Sequence, residues 1–190
     1  MNSQRIRAVA PALLGVARAC EALNRRMGET VAWLALAMVV IAAAVALLRY
    51  LFGLNWVALQ ESVTYLHALL FMLTAGYALQ RNAHVRVDIF YQCYSLRTRA
   101  WINLFGALCL LAPVCLLLLS ASWNYVVHSW AIGERSPETG GLPGVWLLKT
   151  LLLALPILLL LQGLAGALRD ALFLAGIAEA ARRSEEPPHA

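Results

Sequence analysis

Residues 83–90, AHVRVDIF, hold the pattern in this chain that most resembles a chemical site. His84, Arg86 and Asp88 alternate with apolar residues, a period of two that is typical of a half-buried strand. A His and an Asp four residues apart could also bind a metal ion or form an acid–base pair. The elements around this segment decide between these interpretations.

The rest of the chain carries little catalytic chemistry. The four cysteines form no Cys-x-x-Cys motif and have no histidine at metal-binding spacing. There is no glycine-rich phosphate loop, no Gly-x-Ser-x-Gly motif and no His-Glu-x-x-His motif. The sequence therefore predicts no catalytic residue, no metal site and no cofactor, and a protein that is not an enzyme.

Charged residues make up only 13% of the chain and leave long apolar runs. A transmembrane helix needs about 20 apolar residues, and four stretches contain no Asp, Glu, Lys or Arg, namely 30–48, 62–80, 100–133 and 150–168. The last of these is apolar on every side, unlike a helix at the surface of a soluble protein. The chain is predicted to be an all-α polytopic membrane protein.

The runs divide the chain into three parts. Residues 1–29 predict an amphipathic arm, since Leu13, Val16, Cys20, Leu23 and Met27 share one helical face. Residues 30–175 form a four-helix transmembrane domain, and residues 176–190 form a polar tail. The predicted spans cover about 31–51, 57–80, 101–126 and 144–168.

The basic residues predict the orientation. With four spans, the N-terminal arm, the loop between spans two and three, and the C-terminal tail lie on one side. They carry 12 of the 15 Lys and Arg residues. The positive-inside rule then places both termini in the cytoplasm. The net charge of +5 is explained by contact between these basic residues and anionic lipid headgroups. Nucleic acid is excluded as a partner because the arginines are split among three segments.

This topology resolves the opening pattern. An isolated strand in the loop between spans two and three would leave its backbone unpaired. Read as a helix, residues 85–97 have an apolar stripe and a polar stripe, which predicts an in-plane helix. Asp88 would lie near its positive N-terminus, and His84 would help to turn the chain. We interpret the segment as architecture and not as a site.

Two further pairs of residues could each make a specific interaction or have an ordinary structural role. Arg49 and Glu61 flank the predicted hairpin between spans one and two, where they either pair or are solvated separately. His67 and His128 lie on spans two and three and could ligate a haem, but their depths differ, which favours structural histidines.

Taken together, these stretches resemble the small membrane subunit of tripartite ATP-independent periplasmic (TRAP) transporters. The matching segments appear in the same order along most of residues 30–175: RYLFG (49–53), Glu61 in ESVTYL, HVRVDI (84–89), GERSPETGGLPGVW (133–146) and LQGLAGALRD (161–170).

The resemblance implies a scaffold in the bacterial inner membrane. Such subunits bind a large multispan membrane subunit, which carries the sodium and substrate sites, and a periplasmic solute-binding protein delivers an organic solute, here expected to be a carboxylate. The loop between spans three and four would face the binding protein with Glu134, Arg135 and Glu138, or would simply link two helices. A haem-binding electron carrier and a stand-alone membrane scaffold are the alternatives.

Overall fold

The computed structural model describes residues 3–83, 91 and 93–177. The helices found there are α1 (Ser3–Phe52), α2 (Val57–Gln80), α3 (Leu96–Phe105), a π-helical segment (Gly106–Leu111), α4 (Ala112–Ile132) and α5 (Val145–Leu174). The described residues contain no strand. Four helical stretches are long and apolar enough to cross a membrane, since α3, the π-helical segment and α4 run on as one. The prediction of an all-α polytopic membrane protein is confirmed.

Helix α1 is 50 residues long and joins the predicted arm and the first span without a break. At 1.5 Å per residue it extends for about 75 Å. It ends at Gly53, which adopts a positive φ of 67°. The N–H of Gly53 donates to the carbonyl of Arg49 at 3.2 Å, the bond that closes a helix with a left-handed glycine, and the N–H of Leu54 donates to the carbonyl of Leu48 at 3.1 Å.

The face of α1 that packs is not the face predicted to lie on the membrane. Buried Ala10 and Leu14 contact Leu172 near the end of α5, and the same side continues at four- and three-residue spacing through Ala17, Glu21 and Asn24. The predicted stripe lies beside it, and its Val16 and Leu23 are about half exposed. Alanines allow helix backbones to approach closely, which larger side chains prevent.

The third membrane-crossing stretch contains a π-helical segment just before a proline. Pro113 has no N–H with which to continue the α-helical ladder, and its ring crowds the preceding turn. The wider turn accommodates it, because the N–H of Ala112 donates to Ala107, five residues back. Gly163 of α5 faces this segment, where an added Cβ would collide with the side chain of Leu111.

The stretch begins earlier than the predicted span. Ser95 caps α3 by accepting a hydrogen bond from the N–H of Thr98 at 3.3 Å, so Leu96 and Arg97 belong to α3. Residues 93–95 are not helical. The predicted in-plane helix over 85–97 therefore does not extend to residue 97, while most of its length, residues 85–90 and 92, lies outside the described residues.

Helix α5 is the centre of the molecule. It packs against α1, α2, α3 and the π-helical segment as well as α4, and its buried residues include Pro156 and Gln162. Within the described chain, the α1–α2 hairpin and α4 both pack on α5 and make no extensive contact with each other. The four crossing helices thus form an open arrangement around α5 and not a closed bundle.

Candidate functional site

The loop from residue 133 to residue 144, here called the α4–α5 loop, is held by a carboxylate from a different helix. Glu61 lies in the second turn of α2 and accepts a hydrogen bond from the N–H of Leu142 at 2.6 Å. Its other carboxylate oxygen accepts from the hydroxyl of Ser136. One side chain therefore ties both ends of the Ser-Pro-Glu-Thr-Gly-Gly-Leu segment to α2.

The loop is also closed on itself. The N–H of Ser136 donates to the carbonyl of Leu142 at 3.1 Å, and the N–H of Gly141 donates to Glu138 at 3.0 Å. Gly141 must be glycine for reasons of space, because an added Cβ would stand 2.9 Å from the Glu61 carboxylate and closer still to Ser136. The loop is therefore a compact unit with Glu61 as its anchor.

One of the two interpretations of Arg49 and Glu61 was an ion pair across the hairpin, and the structure does not show it. Within the described residues no ion pair joins the two side chains, and Arg49 is exposed at the end of α1. The reason is that Glu61 lies on a different face of α2 from the one that packs against α1. Glu61 and Tyr65, one turn apart, point to the α4–α5 loop, where Tyr65 approaches Gly144, whereas Tyr77 marks the face that packs on α1.

Glu134, at the start of the same loop, forms an ion pair. Its carboxylate accepts a hydrogen bond from Lys149 of α5 at 2.5 Å, and the Lys149 ammonium also lies 3.8 Å from the ring centroid of Tyr125. The hydrogen bond from Lys149 lowers the pKa of Glu134 below its usual range. Glu134 thus fixes the end of α4 to the beginning of α5.

Aromatic side chains strengthen the same junction. The rings of Trp130 and Trp146 meet edge to face with centroids 4.5 Å apart, and the Trp130 indole N–H donates to the hydroxyl of Thr150 at 2.9 Å. With Glu134 occupied by Lys149, the charged side chains of the loop that remain exposed are Arg135 and Glu138. They are of opposite sign.

A second polar cluster joins α1 to α5, and the sequence interpretation missed it. Arg169 donates to Glu21 through both Nε and a terminal nitrogen, each at 2.7 Å. One turn further along α1, the Asn24 amide donates to the carbonyl of Leu158 at 3.3 Å and to Gln162 at 3.4 Å. Gly76 of α2 leaves the room that this contact needs, since an added Cβ would lie 2.9 Å from Cγ of Asn24.

A signal for this cluster was present in the sequence. Ala10, Leu14, Ala17, Glu21 and Asn24 repeat at alternating spacings of four and three, the periodicity of a packing seam. The predicted amphipathic arm instead places Glu21 on its polar face with Arg18 and Arg25, because charged side chains ordinarily mark a solvated surface. Burying a polar side chain between helices is unfavourable by itself, but a hydrogen-bonding partner on the facing helix offsets this cost.

The remaining predicted residues are not gathered into a site. His84 and Asp88 lie outside the described residues. His67 is exposed on α2 and His128 is exposed near the end of α4, and these two helices make no extensive contact with each other. Among the described residues no three His, Cys, Asp or Glu side chains are grouped as metal ligands. That the chain needs no cofactor stays a prediction.

The comparisons with known proteins agree with this architecture. Residues 38–173 match the family described as tripartite ATP-independent periplasmic transporters, DctQ component. The chain is also 30% identical over 107 residues to a C4-dicarboxylate TRAP transporter small permease protein DctQ from Vibrio cholerae. That match covers 56% of this chain and 45% of the relative, so it spans less than half of the relative's length.

No solved structure matches the chain. The family match contains α2, α4, the α4–α5 loop and nearly all of α5, together with the C-terminal part of α1. It thus covers part or all of each of the four membrane-crossing helices, and the loop that Glu61 holds. The chain belongs to the DctQ-component family of tripartite ATP-independent periplasmic transporters, and it is a small membrane subunit of such a transporter.

Proposed function

We propose that this subunit is a scaffold for the large sodium-coupled permease subunit of its transporter. The observation that supports this role is the open arrangement of helices around α5. Large apolar side chains are exposed along α1 and α4, including Trp33 and Leu117. A second integral membrane protein can cover part of such a surface, and lipid covers the rest.

We also propose that the α4–α5 loop meets a periplasmic solute-binding protein. In the orientation that the basic residues predict, both termini are cytoplasmic and the α4–α5 loop is periplasmic. Its hydrogen bonds to Glu61 give it a fixed shape, and Arg135 and Glu138 offer exposed charges of both signs. A transient delivery partner suits a small, polar and preformed surface.

The solute in this proposal is an organic carboxylate taken up with sodium. The support is chemical analogy, because the Vibrio cholerae relative is described as a C4-dicarboxylate transporter subunit. We assign the sodium and substrate sites to the large subunit.

Affinity purification of the tagged chain from native membranes in mild detergent tests the proposal. We expect a large multispan permease to co-elute in a stoichiometric amount, and vesicles containing both subunits to take up a carboxylate only with sodium and binding protein present. A chain that elutes alone under conditions that keep other membrane complexes intact would contradict the scaffold role.

A further inference from the structure

The outward face of α2 carries polar side chains at a depth where a lipid-facing helix normally carries apolar ones. Glu61 and Tyr65 turn towards the α4–α5 loop and Tyr77 towards α1, which leaves Gln60, Thr64 and His67 along the opposite side. Thr64 and His67 are exposed, and Gln60 is half-buried. The three residues follow helical spacing of four and three, so they form one stripe.

The stripe reaches the middle of the predicted span. His67 lies ten residues after the start of α2 at Val57, a rise of about 15 Å, which is half of the roughly 30 Å hydrocarbon thickness. An imidazole at this depth facing acyl chains has no hydrogen-bond partner, and such exposure is unfavourable.

The polar groups of this stripe are unpaired among the described residues, in contrast to other hydroxyls of the same helix. Ser62 donates to the carbonyl of Leu59 at 2.7 Å, and Thr74 donates to that of Leu70 at 2.6 Å. No such bond is made by Thr64 or His67. The stripe therefore presents both donors and acceptors to whatever covers it.

The exposed faces of the neighbouring helices have different chemistry. On α1 the exposed side chains at comparable depth are apolar, among them Leu36, Val40 and Leu47. On α5 they are Ile157 and Leu164. The exposed Asn124 and His128 of α4 lie within its last two to three turns. The central polar stripe is thus particular to α2, while α1 and α5 present faces suited to lipid.

We infer that the Gln60–Thr64–His67 face of α2 docks a membrane-spanning helix of the large permease subunit. That helix would carry hydroxyl, amide or carboxylate groups near mid-bilayer to complete the hydrogen bonds of Thr64 and His67. The inference rests on the proposed scaffold function and adds to it which helix of this chain forms the polar part of the interface. Acyl chains cannot supply these partners, and the apolar faces of α1 and α5 do not require them.

Site-specific photo-crosslinking in the assembled complex tests the assignment. A benzophenone amino acid replaces Thr64 or His67 on α2, and in matched controls it replaces Val40 on α1 or Leu164 on α5. We expect adducts with the large subunit at both α2 positions, at least fivefold more abundant than at either control position.

Adducts at Thr64 and His67 that contain only lipid, or that contain a second copy of this chain, would overturn the assignment. So would equal yields at all four positions. Failure of the scaffold function itself would appear differently, because the large subunit would then not co-purify with the wild-type chain at all.

A double variant gives an independent readout. Thr64→Val with His67→Leu makes the α2 face more compatible with lipid, so insertion and subunit level should stay at the wild-type value. Recovery of the large subunit should fall at least threefold, whereas Val40→Leu should leave it unchanged. Full recovery with the double variant would overturn the inference.

Discussion

At the scale of single residues, Glu61 shows how one carboxylate can order a whole loop. Its two oxygens accept from Leu142 and Ser136, which are six residues apart in the loop. Hydrogen bonds to an ionised acceptor are stronger than neutral ones. The loop itself contains two glycines and a proline between these contacts, a composition that would otherwise favour many conformations.

We predict that Glu61→Gln loosens the α4–α5 loop without preventing insertion. The amide replaces one charge-assisted acceptor by a donor, so the Leu142 N–H should exchange with solvent faster, on the order of tenfold. Hydrogen exchange of the detergent-solubilised protein measures this. Glu138→Gln, an exposed carboxylate in the same loop, is the matched control, and equal exchange in both variants would contradict the anchoring role.

Glu134 gives the same region a dependence on pH. The hydrogen bond that Glu134 accepts from Lys149 holds its pKa below the usual value of 4.5. The folded protein thus favours the ionised form, and this contribution to stability is present above about pH 4.5 and is lost as the pH falls through the lowered folded pKa. We predict that the thermal midpoint falls less steeply with acid in Glu134→Gln than in the wild type.

Melting curves between neutral and acidic pH check this prediction. Glu138→Gln should keep the wild-type acid dependence, because Glu138 is exposed and has no basic partner among the described residues. Parallel curves for wild type and Glu134→Gln would show that the bond to Lys149 adds no stability.

At the scale of helices, the spans could be predicted because a run of 19 uncharged residues is long enough to cross the membrane, and few other structures suit so apolar a run. The partners across the packing faces could not be predicted, although the four- and three-residue spacing from Ala10 to Asn24 marks the packing side of α1. Glu21, Asn24 and Arg169 have the composition of a surface, and only their alignment across α1 and α5 turns them into a seam. Pairing across 148 positions of sequence leaves no local pattern.

We predict that the Glu21–Arg169 pair fixes the N-terminal half of α1 against α5. Both side chains are mostly buried, with 9% and 17% of their surface exposed. Arg169→Leu removes two charge-assisted hydrogen bonds from the mostly buried Glu21 carboxylate, which should cost roughly 3 kcal/mol. The charge-swapped pair, Glu21→Arg with Arg169→Glu, should recover part of this loss.

Unfolding of the solubilised subunit measures these differences, with Arg18→Gln as the control at an exposed arginine of the same helix. If Arg169→Leu melts at the wild-type temperature, the two helices are held without the ion pair, by the apolar contacts around Ala10, Leu14 and Leu172 and by the hydrogen bonds of Asn24.

At the scale of the whole molecule, the distribution of arginines predicts which side of the membrane each loop faces. We expect cysteines introduced at residues 134–140 to react with a membrane-impermeant reagent added to the periplasm, and residues 84–99 to be protected. Cys93 is native to the second segment and exposed, so it reports on that side directly in a background without the other cysteines. The reverse labelling pattern would invert the topology.

The exposed charges of the α4–α5 loop carry the last prediction, which concerns delivery of solute. Arg135 and Glu138 are exposed, whereas Glu134 is bound to Lys149 and unsuitable for a test of docking. Charges at the rim of a transient interface mainly change encounter rates and are screened by salt. We therefore expect Glu138→Lys to leave assembly with the large subunit intact and to slow uptake about three- to tenfold at subsaturating binding protein and low ionic strength.

The defect should diminish as binding-protein concentration or ionic strength rises, since either change reduces the part that steering plays in the encounter. Arg135→Glu should also alter uptake, and the two variants should respond in opposite directions if the facing surface of the binding protein has one predominant charge. Arg18→Glu, at the other end of the molecule, is the control. Wild-type uptake by both loop variants at low salt would mean that the α4–α5 loop, although Glu61 holds its shape, serves only to connect two helices.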